Sequence, residues 1–134
     1  LMSAMREHAA CTLPRIDTGS LRNDLIALIS EHVKLLKGPE GELMMSLLAI
    51  AHRDPVLGKL LNQKSLIESD QESAELFDRA IARGEISEKA NIAFLSEVVP
   101  SIITQRIFIT HQQVNLKFIE QLVDDVLIPA LNKK

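Results

Sequence analysis

The side chains best suited to chemistry are four histidines, one cysteine and one arginine that lies in an apolar stretch. Each histidine lies in a different predicted element, so none forms the i, i+4 pair that holds a metal ion on one helix. Cys11 is the only cysteine, which excludes an internal disulfide framework and a cysteine-based zinc cluster. The chain also lacks a glycine-rich phosphate loop, a His-Glu-x-x-His motif and a Gly-x-Ser-x-Gly elbow. We therefore predict that the protein is not an enzyme and that it uses no metal and no cofactor.

His32 falls near the middle of the apolar face of the first predicted helix. A buried imidazole needs hydrogen-bond partners, and these come either from the protein or from a bound ligand. His32 is therefore either an ordinary core histidine or a polar anchor inside a ligand cavity. His52 lies at the edge of the apolar face of its own helix, where a solvated position is the competing interpretation.

Arg106 falls within the apolar arc of its helix, where an unpaired guanidinium would be costly. This position predicts an acceptor, and Asp124, Asp125 or a helix C-terminal carbonyl are the structural candidates. A ligand carboxylate or phosphate is the alternative. Pro100 lies inside the same predicted helix and predicts a kink, which can open space between helices.

Methionine and phenylalanine side chains at helical spacing could line an adaptable apolar pocket, although ordinary core packing is the competing interpretation. The candidate ligand-binding residues are His32, Met44, Leu48, His52, Phe77 and Arg106.

Composition predicts a single all-α domain over residues 1–134. Hydrophobic residues make up 46% and charged residues 25%, and four phenylalanines are the only aromatic residues. The net charge of −3 gives this chain no basic surface for nucleic acid. The longest apolar run, 43–51, is far shorter than the roughly 20 residues of a membrane helix, so we expect no membrane partner. The lone cysteine fits a cytoplasmic protein.

Glycine, proline and asparagine divide the chain into a bundle of about five to six helices. The spacing of apolar residues predicts helices over 18–37, from Pro39 to the Asp54-Pro55 break, 55–83, 87–110 and 115–131. Gly38 is expected to close the first helix in the left-handed conformation. The polar stretch 68–73 predicts a bend or a solvent-exposed crossing in the third helix.

The last two predicted helices carry apolar arcs that span about half the circumference, wider than the stripe of an ordinary surface helix. We expect them to pack against the same helices of a second copy, in a twofold four-helix interface. A central core helix within one copy is the alternative. The predicted interface residues are Val98, Ile102, Ile109, Phe118, Ile119, Leu122, Val123, Val126 and Leu127.

Five segments, in order along the chain, resemble the regulatory domain of the TetR family of bacterial transcriptional regulators. They are Asp17-Thr18-Gly19-Ser20-Leu21-Arg22-Asn23-Asp24-Leu25, the Asp54-Pro55 break, Ala80-Ile81-Ala82-Arg83-Gly84-Glu85-Ile86, Val98-Val99-Pro100 followed by Arg106, and Phe118-Ile119 leading to Val123-Asp124-Asp125-Val126-Leu127-Ile128-Pro129. One departure is Gln112-Gln113, which stands in place of the glycine-containing turn that usually precedes the last helix.

The resemblance implies a domain that binds an effector and forms a homodimer. A small apolar molecule of unknown identity would alter the spacing of two helix-turn-helix domains, which alone contact operator DNA and which this chain lacks. Residues 1–9 would be the end of the helix that links the two parts. Two other functions stay open: a helical module that docks a partner helix without a small molecule, and a small enzyme or acyl-binding bundle that uses His32 or His52.

Overall fold

The structure, a computed structural model, describes residues 16–132, and for residues 61–73 it describes only the backbone. Cys11 and the expected end of a linking helix at 1–9 lie outside the described residues. Within the described part the regular structure is helical, with no strand, which confirms the predicted all-α class. The helices are α1 (Leu21–Lys37), α2 (Pro39–Arg53), α3 (Pro55–Ala82), α4 (Ile92–Thr104), α5 (Leu116–Leu122) and α6 (Ile128–Leu131), with π-helical turns π1 (Gln105–Ile109) and π2 (Val123–Leu127).

The central element is α1, which packs against α2, α3, α4, α5 and π2. It starts at Leu21 rather than at residue 18, because the Ser20 side chain is the N-cap and accepts a hydrogen bond from the Asn23 N–H at 3.2 Å. Residues spaced three or four apart form its buried face, as expected for an amphipathic helix. These residues are Leu21, Leu25, Ile29, Val33 and Leu36.

A single residue, Gly38, connects α1 to α2. The left-handed conformation predicted for it is wrong: its φ of −90° and ψ of −173° are extended. The reason is Pro39, the first residue of α2, because the ring of a proline disfavours helical conformations in the residue before it. The extended link turns the chain directly from one helix into the next.

Gly41, in the first turn of α2, lies directly against the end of α1. A Cβ atom at this position would stand 1.9 Å from the carbonyl oxygen of Leu36, which is far inside van der Waals contact. Only glycine allows the two backbones to approach this closely. The packing angle between α1 and α2 therefore depends on the absence of a side chain here.

The third helix, α3, is 28 residues long and is capped by Asp54, which accepts hydrogen bonds from the N–H groups of Val56 and Leu57. The backbone stays helical through residues 68–73, so the predicted bend does not interrupt the helix. The side chains of that polar stretch lie outside the described part, and its solvent exposure stays a prediction. Gly84 follows the helix end in the left-handed conformation, with a φ of +77°.

The fourth helix starts at Ile92, five residues later than predicted. Asn91 is its N-cap, accepting from the Phe94 N–H at 3.0 Å, while the Ser87 N–H donates instead to the carbonyl of Leu131 at 2.9 Å. The loop before α4 is thereby held against the end of the chain's last helix. The kink expected at Pro100 stays a prediction, since the irregularity that the structure shows is the π-helical turn that begins at Gln105.

Together α4 and π1 form an 18-residue apolar segment, Ile92–Ile109, of which only 11% is buried. By length and composition this segment could cross a membrane, although such a test is also passed by helices of soluble proteins. Glu97 and Arg106 divide this segment, so it contains no long uninterrupted apolar run.

The last helical stretch, 116–131, contains π2 in its middle. Four of its five buried residues recur every fourth position, at Ile119, Val123, Leu127 and Leu131, and the fifth is Leu122. In a regular α-helix of 3.6 residues per turn such a row drifts by about 40° at each step. A π-helical turn holds more residues, so π2 brings the row back to one face.

Replacement of Gly41 by alanine is expected to lower the free energy of unfolding by more than about 2 kcal/mol, because α2 must move away from Leu36. Urea denaturation followed by circular dichroism measures this change. Glu42→Ala, at the exposed neighbouring position, is the matched control and should shift stability by less than about 0.5 kcal/mol. Equal stability of the two variants would contradict the close approach at Gly41.

Candidate functional site

Three of the predicted ligand-binding residues lie half-buried on three neighbouring helices. His32 is on α1, Met44 on α2 and Phe77 on α3, and these helices pack against one another. The Met44 and Phe77 side chains pack against the core. Each of the first three helices thus carries one of the predicted residues in a half-buried position.

The His32 side chain has an unusual environment. Its Nε2 atom is buried and has no hydrogen-bond partner among the described residues. Burial lowers the pKa of the imidazole below its ordinary value, so the ring is neutral at pH 7. A neutral imidazole nitrogen without a partner can donate to or accept from one polar group of a bound molecule. Of the two sequence interpretations, a core histidine with both nitrogens paired is therefore not what the described residues show.

Leu48 and His52 lie apart from these three residues. Leu48 is 46% exposed and His52 is exposed near the end of α2. The solvent-exposed position of His52 agrees with the competing interpretation, in which this side chain is solvated. Both side chains lie on the solvent-exposed face of α2, whereas His32 is half-buried.

Arg106, in π1, is held by two contacts at the other end of the molecule. Its Nε and Nη2 atoms donate to the carbonyl of Gln113, at 3.2 and 2.7 Å, and its guanidinium lies 3.9 Å from the centre of the Phe118 ring. A structural acceptor was predicted, but Asp124 and Asp125 are the wrong residues. A backbone carbonyl of the loop and an aromatic face take their place, a cation–π arrangement that keeps the charge partly hydrated.

Asp124 binds a different arginine. Its two carboxylate oxygens accept from Arg22 of α1, at 2.8 and 3.0 Å, in a bidentate pair on the protein surface. The guanidinium holds the pKa of this carboxyl below its ordinary value. The pair fastens π2 to the first turn of α1.

Two open grooves lie along the C-terminal helices. One, of about 460 Å³, runs along α4 and π1 past Pro100 and Ile109. The other, of about 480 Å³, has Ile102 and Arg106 on one side and α5 with π2 on the other. Of the six predicted ligand-binding residues, Arg106 alone lines these two grooves.

The predicted dimer residues divide into two groups in the structure. Four of them are at most 5% exposed and belong to the chain's own core, namely Ile119, Leu122, Val123 and Leu127. The other five are half-buried or exposed, namely Val98, Ile102, Ile109, Phe118 and Val126. A partner could contact little of the buried group, and the interface role of all nine residues stays a prediction.

Sequence reasoning also missed a polar cluster that joins two of the five resembling segments. Asp24 is fully buried, and its Oδ1 accepts from both the N–H and the hydroxyl of Thr18, at 2.7 and 2.6 Å. Arg83 lies 3.5 Å from the other oxygen of Asp24 and 2.9 Å from Glu85. Glu85 accepts in turn from the N–H of Leu21 at 3.1 Å, capping α1 from 64 residues away. The polar or charged character of all four residues was the signal in the sequence that could have indicated this cluster.

Arg79 extends this cluster toward the N-terminal end of the described chain. Its Nη2 donates to the carbonyl of Ile16, and its Nε lies 3.6 Å from a carboxylate oxygen of Asp17. The end of α3 therefore holds the segment that enters α1.

Among the described residues, no group of three or more histidine, cysteine, aspartate or glutamate side chains is arranged to hold a metal ion.

The described part of the chain is an all-helical domain, and comparison with known proteins identifies its family. The model of the family described as "Tetracyclin repressor-like, C-terminal domain" matches residues 15–126. The chain belongs to this family, which confirms the resemblance seen in the sequence.

Several curated relatives agree with this assignment. The uncharacterized HTH-type transcriptional regulators Rv1556 of Mycobacterium tuberculosis and Mb1581 of Mycobacterium bovis are each 27% identical over 117 residues, which is 87% of this chain and 57% of the relative. The uncharacterized HTH-type transcriptional regulator YdeS of Bacillus subtilis is 24% identical over 123 residues, 92% of this chain and 62% of the relative. The chain therefore spans about three fifths of the length of these relatives.

The buried His32 predicts a pH dependence of stability. Because its pKa is lower in the folded than in the unfolded state, its contribution is complete above the unfolded value and is lost as the pH falls from the unfolded value through the folded one. We expect the free energy of unfolding to decrease between about pH 7 and pH 5. His32→Gln should flatten this slope, whereas His52→Gln should leave it unchanged, as measured by urea denaturation at several pH values. Parallel slopes for all three proteins would refute the role of His32.

Proposed function

We propose that this chain is the effector-binding and homodimerisation domain of a transcriptional regulator, acting as a repressor. The family assignment and the relatives, which are named as HTH-type transcriptional regulators, support this role. Operator DNA would be contacted by a helix-turn-helix outside this chain, because the chain's net charge of −3 offers no phosphate-binding surface. Such a regulator works in the cytoplasm and needs no enzymatic activity or cofactor.

The observation that carries the proposal is the exposed apolar face of the C-terminal helices. Ile109 is 68% exposed, Phe94 60% and Val126 41%, whereas the other apolar residues of α4 and π1 are mostly half-buried against the core. Single exposed apolar side chains are common, but several of them on the C-terminal helices favour an interaction site. A second copy of the same helices would cover it in a four-helix interface.

Effector binding is proposed for the inner side of α1, α2 and α3. Met44 and Phe77 supply apolar contact there, and His32 supplies one unsatisfied nitrogen. An uncharged, mostly apolar molecule with a single hydrogen-bonding group fits this chemistry, since a neutral imidazole offers no charge to balance. The Arg106 guanidinium is already engaged by Gln113 and Phe118, so we assign it to the dimer face.

The mechanism we propose is a shift between two arrangements of the dimer. An effector that binds one arrangement better moves the population toward it by no more than its difference in affinity. The polar cluster of Asp24, Arg79, Arg83 and Glu85 would couple effector binding to the rest of the protein, because it joins the end of α3 to the segment that precedes α1. A displacement of α3 by a ligand at Phe77 would reach that segment.

A second candidate function is a helical module that docks a partner protein. It is favoured by a separate apolar patch at the α2–α3 corner, where Ile50 is 53% exposed and Val56 70% exposed. The patch lies away from the C-terminal helices, so the two surfaces can be tested independently.

Ile109→Glu is expected to convert the dimer to a monomer without unfolding it, because this exposed side chain makes little contribution to the protomer's own core. Sedimentation equilibrium gives the mass, and circular dichroism confirms the helix content. Ile50→Glu introduces the same charge at an exposed apolar residue on α2 and should leave the dimer intact. If the unaltered chain is monomeric, or if both variants dissociate equally, the proposed interface is wrong.

Nile red, an uncharged apolar dye with a carbonyl acceptor, is a probe for the effector site. His32→Leu should weaken its binding about fivefold, the value of roughly one hydrogen bond, while the side-chain volume is largely kept. Fluorescence titration measures the affinity, and His52→Leu is the matched control at an exposed position. Identical affinities for the two variants would remove His32 from the proposed site.

A further inference from the structure

We propose that two copies of the stretch 116–131 cross in antiparallel orientation with Gln121 on the twofold axis, so that Lys117 of each protomer forms an ion pair with the partner's Asp125. The inference rests on the proposed homodimer and specifies its register. The two ion pairs would lie on either side of the axis and determine which orientation the second copy adopts.

The first support is a row of exposed polar side chains on the groove. Lys117, Gln121 and Asp125 are all exposed, lie four residues apart and line the same 480 Å³ groove. Such a row would turn away from the groove in a regular α-helix, because four residues exceed one turn. The π-helical turn π2 counteracts that drift, as it does for the buried row on the opposite side.

The second support is that the charges at the ends of this row have no partner in the described part of the chain. Neither the Lys117 ammonium group nor the Asp125 carboxylate makes a hydrogen bond or ion pair with another described residue, whereas the carboxylate of the neighbouring Asp124 is fully engaged by Arg22. Eight residues of helix separate Lys117 from Asp125, about 12 Å, which is too far for contact within one copy.

The third support is the symmetry of the row. Lys117 and Asp125 are each four positions from Gln121, so an antiparallel crossing centred on Gln121 places each opposite the other. A parallel crossing would bring lysine to lysine and aspartate to aspartate, which is repulsive. Gln121 meets its own copy at the axis, and a side-chain amide can do this favourably because it both donates and accepts hydrogen bonds.

Apolar side chains beside the row supply the contact area. Phe118 is half-buried and Val126 is 41% exposed, and both line the groove next to the polar row. Ion pairs at such an edge add modest affinity but discriminate strongly between orientations. Charge therefore sets the register, and apolar burial provides the affinity.

Charge reversal tests the register. Lys117→Asp leaves four acidic groups around the axis of a homodimer, and Asp125→Lys leaves four basic ones. Each variant alone should raise the dimer dissociation constant by about tenfold or more at low salt, and less at high salt. The double variant restores both ion pairs with their polarity reversed and should regain the affinity of the unaltered chain.

A mixture of the two single variants gives the sharpest result. Only the heterodimer places lysine opposite aspartate at both positions, so it should exceed the statistical proportion in native mass spectrometry with one variant isotopically labelled. Lys59→Asp and Asp78→Lys, both at exposed positions on α3, are matched controls and should mix statistically. Circular dichroism verifies that every variant is folded.

The possible outcomes separate the register from the dimer itself. A dimeric unaltered chain whose single variants associate normally, or mix statistically, overturns the Lys117–Asp125 register and leaves the homodimer standing. A monomeric unaltered chain overturns both. Weakening by the single variants without recovery in the double variant also overturns the pairing, because the two charges would then act independently.

Discussion

The fold depends on a buried carboxylate. Asp24 is fully excluded from solvent, and a charge in that position requires donors that only other parts of the chain can supply. Thr18 supplies two hydrogen bonds, and Arg83 brings a guanidinium from the end of α3. Since α1 contacts most other elements, fixing its first turn against α3 fixes the frame on which the remaining helices pack.

This frame explains why the C-terminal helices have two different sides. Their inner side packs on α1 through residues such as Ile103 and Val123, which are fully buried, so the protomer has a complete core of its own. Their outer side keeps Phe94 and Ile109 in solvent. Because Phe94 and Ile109 bury little surface within one copy, they contribute little to its folding. This is the physical reason to connect them with binding of a second copy.

The all-helical class, the order of the helices and the ends of α3 were accessible from the sequence, because apolar spacing and the punctuation at Asp54 and Gly84 are local signals. Contacts between distant parts were not. The cap that Glu85 provides for α1 and the bond from Ser87 to Leu131 each join residues far apart in sequence. No local pattern could have shown that Arg106 binds the carbonyl of Gln113.

The candidate site was predictable only in part for a related reason. Periodicity placed His32, Met44 and Phe77 on apolar helix faces, and all three are half-buried, but it also grouped the buried Ile119 with Phe118 in one arc. A helical wheel assumes a constant number of residues per turn, and π2 breaks that assumption. The burial of each position in such a helix can be assigned only when both its winding and its packing partners are known.

The same widened turn has a consequence for changes in chain length. A π-helical turn accommodates one residue more than the α-helical turn that it replaces, while the stretches on both sides keep their faces. Loss of one residue from Val123–Leu127 would thus let the helix become regular and still leave Ile119 and Leu131 pointing inward. A deletion elsewhere in this helix would rotate one half against the other by about 100°. Natural insertions and deletions in this helix should therefore concentrate at that turn.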